Sequence, residues 1–386
     1  MLSVNRTPYV GSTGPLWRVR LTRASPTELF SERKIPHEFV HEQKILFGFH
    51  HSITDGFSST KICGVFMNFL NDVLTGKSLD CSAPSMTLSD PELCLSDAMK
   101  EVQENWEKHP EEKQKTFAFL ATDNTEILVL KAFPVDGTNV EPCTFSIRYD
   151  FDHATSKCFL EKCKSNGITC HAGFFTATQL ALIEVMQEAK IEEEEFDMIT
   201  RHAINGRRYW SKDVNQNTEF CAAVLIVPIC FAIKPNQKNG FWKIANDFGK
   251  LFNDSMNNLM PLKNALFMVE VMKKLDMSSE KKGVPKVPNG YYDTTNMGDI
   301  TSSLTGDFAR VVKGNVVAEE AKQVIVTDFH RSTSTHFGTN ICSLVLHSLK
   351  GRLLFSIDFN VTYMTKETAV KYRNAVVNMV KKLAKN

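Results

Sequence analysis

The chain has 386 residues, 42% of them hydrophobic and 23% charged, enough to bury one large core or two ordinary ones. With 45 basic against 44 acidic residues the net charge is +1, so no overall field draws the chain to nucleic acid or to a charged membrane surface. Ten cysteines without CxxC spacing read as reduced thiols, and the first residues have no apolar core of a signal peptide, so the expected location is the cytoplasm.

In chain order, "LWRVRLT" (16–22) alternates apolar and basic residues as a strand does. "KILFGFH" (44–50) is apolar on both faces and reads as a central, fully covered strand. Ile62, Val65, Phe66, Phe69, Leu70, Val73 and Leu74 recur at helical spacing, and Gly76 ends that run. "CTFSIRYDF" (143–151) predicts a further strand, and Thr169 caps a long helix that follows. The charge run "KIEEEEFDM" (190–198) reads as a solvated connector. Beyond it come the β-prone "AAVLIVPICFAI" (222–233), a helical stretch over about 241–275, and a polar loop at 278–290. Two strands flanking Leu349-Lys350-Gly351 predict a hairpin, and a helix from about Lys366 to Ala384 closes the chain. Met268, Met272 and Met277 read as fillers of core gaps. Lys281, Lys282, Lys286 and His336 read as loop residues.

The stretch "FGFHHSITDGFSS" (47–59) carries the chemistry. On a strand the pleat sends His50 and His51 to opposite faces, so the two imidazoles do not share a metal ion. One ring can face a cavity as a base while the other packs inward; a neutral imidazole suits proton removal from an alcohol or amine. Asp55 either orients that base or braces the turn through a distant arginine. Gly56 supplies a backbone conformation closed to other residues and leaves room for a ligand. A lone histidine or a lone Asp-Gly turn means little; the conjunction, at a strand end ahead of a helix, carries the functional reading.

His50-His51-x-x-x-Asp55-Gly56 resembles the HHxxxDG signature of the CoA-dependent acyltransferase superfamily, which holds chloramphenicol acetyltransferase, alcohol acetyltransferases and condensation domains. "GPLWRVRL", "NGITCHAGFFTATQLAL", "INGRRYW", "NMGDI" (296–300) and "LKGRLLFSIDFNVTYMTKE" fall in the same order as in that superfamily. The resemblance implies an α/β fold of two similar halves around a central tunnel, residues 1–195 and 196–386, each a mixed sheet with flanking helices. It implies that His51 is the general base and His50 mainly structural. Asp55 is then a brace paired with Arg207 or Arg208, Gly56 keeps the tunnel open beside the thioester arm, and Asn296 and Gly298 line the substrate site. Relatives place one more strand and helix ahead of "PLWRVRL", so the first half is expected to be short of both. The implied activity is acyl transfer from acyl-CoA to a small alcohol or amine by a monomer, with acyl-CoA as co-substrate and no metal or redox cofactor, because the thioester is already activated. Two alternatives remain: a non-catalytic binding remnant of the same fold, and a condensation-type domain acting on carrier-protein thioesters.

Overall fold

The computed structural model describes residues 14–22, 25–26, 39, 41–78, 87–88, 90–121, 126–136, 143–211, 219–235, 240–274, 288, 290–305, 322–335 and 340–385. Its main sheet has six strands: β3 (Thr144–Asp150), β4 (Phe196–Asn205), β5 (Val224–Ile233), β6 (Gly290–Asp299), β7 (Asn340–Leu349) and β8 (Arg352–Asn360). Their spatial order is β3-β8-β7-β6-β4-β5. The pairs β4–β6 and β6–β7 are parallel and the rest antiparallel. Pro228 sits in β5 without breaking the ladder because β5 is an edge strand. The β7–β8 hairpin turns through Lys350 and Gly351, whose φ angles of 49° and 75° give the two-residue turn that matches strand twist.

Strict alternation in β3 divides the sheet into two faces. Phe145, Ile147 and Tyr149 align with Phe359, Ile357 and Phe355 of β8 on the apolar face. There the sheet meets α4 (His153–Ser165), α5 (Cys170–Glu188) and α8 (Lys366–Lys385). Phe355 packs edge-on to Phe174 at 5.4 Å and stacks on Phe151 at 5.9 Å. Thr169 caps α5, its hydroxyl accepting from the Ala172 N–H at 3.1 Å. The opposite face, with Ser146, Arg148, Asp150 and Asp358, is covered by the irregular segment 322–335. Arg148 makes a bidentate pair with Asp328 (2.9 and 2.8 Å), and Ser146 meets His330 Nε2 at 3.1 Å.

The His-His stretch belongs to a different unit. β1 (Trp17–Leu21) and β2 (Ile45–Phe49) form a two-stranded antiparallel ribbon. Helix α1 (Gly56–Leu74) follows β2, and α2 (Pro91–Lys108) and α3 (Pro110–Leu120) come next in the chain. One expectation is corrected here. β2 is not a central, fully covered strand: among the described residues it pairs only with β1 and is mostly half-buried. The apolar stripe of α1 is not a buried face. Phe66 does meet Phe47 edge-on at 5.3 Å, yet Phe69, Val73 and Leu74 are exposed. The helix instead buries Ser58, Thr60, Lys61, Gly64, Asn68 and Asn71 toward the rest of the chain. A narrow ribbon covers only part of the helix stripe, while the close approach of Gly64 and the polar tethers dictate which side turns inward.

Smaller departures have local causes. The stretch 241–275 is two helices, α6 (Phe241–Asn257) and α7 (Met260–Lys274), broken where Leu259 takes φ 55°. Met268 fills no core gap, being 47% exposed on α7. Met277, Lys281, Lys282, Lys286 and His336 lie outside the described residues. Among the described residues no single helix is long and apolar enough to cross a membrane.

Candidate active site

The His50 N–H extends the β1–β2 ladder, donating to the Leu16 carbonyl at 2.8 Å. The chain then turns, with the Ile53 N–H donating back to the His50 carbonyl at 3.2 Å. His50 is half-buried, its Nδ1 2.7 Å from the Ser52 hydroxyl. His51 stands exposed at the head of this turn, and among the described residues its ring has no hydrogen-bond partner. One ring is thus tied locally while the other is exposed on the turn.

Asp55 anchors the turn. It caps α1, Oδ1 accepting from the Ser58 N–H at 2.8 Å. Its Oδ2 takes Arg207 Nη1 at 2.6 Å and the Ala223 N–H at 3.0 Å. With both oxygens so engaged, Asp55 bonds to neither histidine and acts as a brace rather than as the third member of a triad. The brace joins residue 55 to residue 207, across the 195/196 boundary in sequence. Arg207 is 1% exposed and Asp55 2%. The guanidinium is further held by Asn205 Oδ1 (3.2 Å), the Ser58 hydroxyl (2.8 Å) and the Cys221 carbonyl (3.0 Å). It lies over the rings of Phe57 and Trp210, at 4.7 and 5.1 Å. Arg208, the other candidate, is exposed. Such a pair gains little net energy over an apolar one, but losing either partner strands a buried charge.

Gly56 is a glycine for a reason other than backbone freedom: its φ is not positive. A Cβ there would stand 2.1 Å from Arg331 Nη1 and 3.6 Å from Met297 Cγ. The space expected for a ligand is occupied by an arginine from the 322–335 segment. Asn296 and Gly298 frame Met297: Asn296 Oδ1 accepts from the Gly298 N–H at 3.0 Å, and Gly298 takes φ 67°. The pair makes an irregularity in the register of β6 that carries Met297 to the same place.

Three polar residues near this turn gave no signal in the sequence. Lys61, on the inner side of α1, has its ammonium 4.5 Å from the Phe57 ring, and burial beside Arg207 pushes its pKa down to about 8. Burial pushes Asp358 up to about 7, and lowers Arg331 despite the nearby carboxylates of Asp55 and Asp358. A helical-spacing signal exists only for apolar residues, and nothing in "DFHRSTST" marks the arginine that reaches Gly56.

No family model and no curated protein matches the sequence. Solved structures do match in fold. The TRI3 trichothecene 15-O-acetyltransferase of Fusarium sporotrichioides aligns over 99% of this chain and 72% of its own, with TM-score 0.61 and 12% identity. The chain has the fold of the acyltransferase and condensation-domain superfamily. Other members of this fold include the SgcC5 protein of Streptomyces globisporus (TM-score 0.58, 12% identity, 100% of this chain and 75% of that one). The epimerization domain from the third module of tyrocidine synthetase B also aligns (TM-score 0.53, 12% identity, 89% and 69%). The chain spans about seven tenths of the length of these three neighbours.

Proposed function

We propose that the protein transfers an acyl group from an acyl-CoA thioester to a small alcohol or amine, with His51 as the general base. The observation that carries this reading is the position of His51. Its ring stands open on a turn held rigid by the buried Asp55–Arg207 pair, in a fold shared with an O-acetyltransferase. In the proposed step the imidazole takes the acceptor proton as the acceptor oxygen or nitrogen bonds to the thioester carbonyl carbon. The tetrahedral intermediate collapses, the C–S bond breaks, and the imidazolium returns its proton to the departing thiolate. His50, Gly56 and Arg207 act by positioning; Asn296 and Gly298 shape the wall through Met297. The donor thioester supplies the activation, and acyl-CoA is a co-substrate rather than a resident cofactor.

Release of free thiol from acyl-CoA, measured against panels of alcohols and amines, tests this. His51→Ala is expected to lower kcat/KM by about 10²- to 10⁴-fold, the usual contribution of a positioned base. Release indifferent to His51 would sink the mechanism. Condensation domains among the solved structures of this fold favour a second donor, a carrier-protein thioester. Turnover with acyl-pantetheinyl carrier protein and none with acyl-CoA would select it. Acyl-CoA binding without turnover on any donor would leave a binding protein.

A further inference from the structure

The segment 322–335 runs from α1 to the polar face of the main sheet. At one end the Asn71 amide clasps Val324, donating to its carbonyl and accepting from its N–H, both at 2.8 Å. At the other, the Thr333 N–H donates to Asp358 Oδ2 at 2.6 Å, and the Ser356 hydroxyl donates to the Arg331 carbonyl at 3.3 Å. Between these anchors the half-buried Arg331 side chain reaches Gly56, five residues beyond His51. A guanidinium has five N–H donors and stays charged in proteins. Yet among the described residues the only side-chain hydrogen bond of Arg331 is a weak one to Met297 Sδ at 3.5 Å.

The two nearby carboxylates do not complete it. Asp55 is engaged by Arg207, Ala223 and Ser58, and among the described residues neither Asp55 nor Asp358 forms an ion pair with Arg331 within 4.0 Å. Burial also holds Asp358 near neutrality at about 7, which makes it a weak counter-ion. A guanidinium left with open donors is free to take a ligand, and its planar fork recognises carboxylates best, through two parallel bonds.

We propose that Arg331 receives a carboxylate carried by the substrate, either on the acyl group or on the acceptor. Gly56 is then a glycine so that the guanidinium can reach the His51 turn. The inference rests on the acyl-transfer reading and adds a substrate class to it.

Matched probes test it by calorimetric titration. Succinyl-CoA and butyryl-CoA differ by a carboxylate on the acyl chain; 3-(4-hydroxyphenyl)propanoate and its primary amide differ by one on the acceptor. In one pair the carboxylate member should bind about tenfold or more tightly, as a charge-assisted bond implies. Arg331→Ala should erase that preference while the neutral member binds as to the wild type, and Arg331→Lys should keep part of it. Unchanged neutral-probe binding and an unchanged urea midpoint show that the variant is folded. If the alanine variant does not fold, the lysine variant decides by a reduced or an undiminished preference. Equal binding within both pairs, or a preference that survives loss of the guanidinium, overturns the inference alone. Failure of all four probes to bind overturns the acyl-transfer reading with it.

Discussion

The six-stranded sheet and the β1–β2–α1 unit are held by different physics. In the sheet, β7 and β8 are buried along nearly their whole length, and the rings of Phe174 on α5 and of Phe151, just beyond β3, pack on Phe355. In the other unit, Trp17 is 58% and Val73 53% exposed, while Asp55, Ser58, Lys61 and Asn71 point inward. The sheet is secured by apolar area, which is non-directional and forgiving of small shifts. The unit that presents His51 is secured by directional bonds: the Asp55–Arg207 pair and the Asn71–Val324 clasp. Directional tethers fix the position of a side chain more tightly than a loose apolar contact does, and positional accuracy is what a general base needs.

The contrast can be broken most strongly at the brace. Arg207→Ala leaves Asp55 buried and unpaired and should cost about 3–5 kcal/mol in urea unfolding; a loss under 1 kcal/mol would mean the tether is dispensable. Next is the carboxyl of Asp358, raised from 3.8 to about 7 by burial, with Arg331, Ser146, Ser332 and Thr333 partly offsetting the shift. The native state therefore keeps a proton that the unfolded chain loses, so stability is full below about pH 4 and falls as pH rises toward 7. Asp358→Asn should abolish that fall, on the order of a few kcal/mol, and a wild-type profile retained by the variant would assign it elsewhere. Gly64→Ala sharpens the comparison at the α1 interface. Its Cβ would stand 1.8 Å from the Ser303 carbonyl oxygen. It should cost about 1–3 kcal/mol by overpacking, read from the thermal midpoint. Smallest of all, Val73→Ser on the exposed stripe should change stability by about 0.5 kcal/mol or less. A large loss there would show that the stripe is covered in solution.

Much of the main sheet was legible beforehand. The strand over 143–151, the Leu349-Lys350-Gly351 turn and the Thr169 cap are local signals, and each fell where the sequence placed it. The burial of α1 was not legible. Ile62, Phe69 and Val73 have the spacing of a core stripe, but spacing states only that apolar residues share one side, not that anything covers it. At the site, the nomination of Arg207 or Arg208 left a choice that burial made, since only Arg207 points back to Asp55. Asn296 and Gly298 were nominated as wall residues; in the structure they form an irregularity in β6 that places Met297 beside Gly56.

The sequence by itself determined the strand-turn-helix around His50 and His51 and the strands and caps of the main sheet. These follow from periods of two and 3.6 residues and from side chains that bond to their own backbone. Only the tertiary structure decided that Arg207 closes on Asp55 across 152 residues and that Arg331 fills the place a Gly56 side chain would take. Contacts between residues far apart in the chain depend on how whole elements pack, and no local pattern records them.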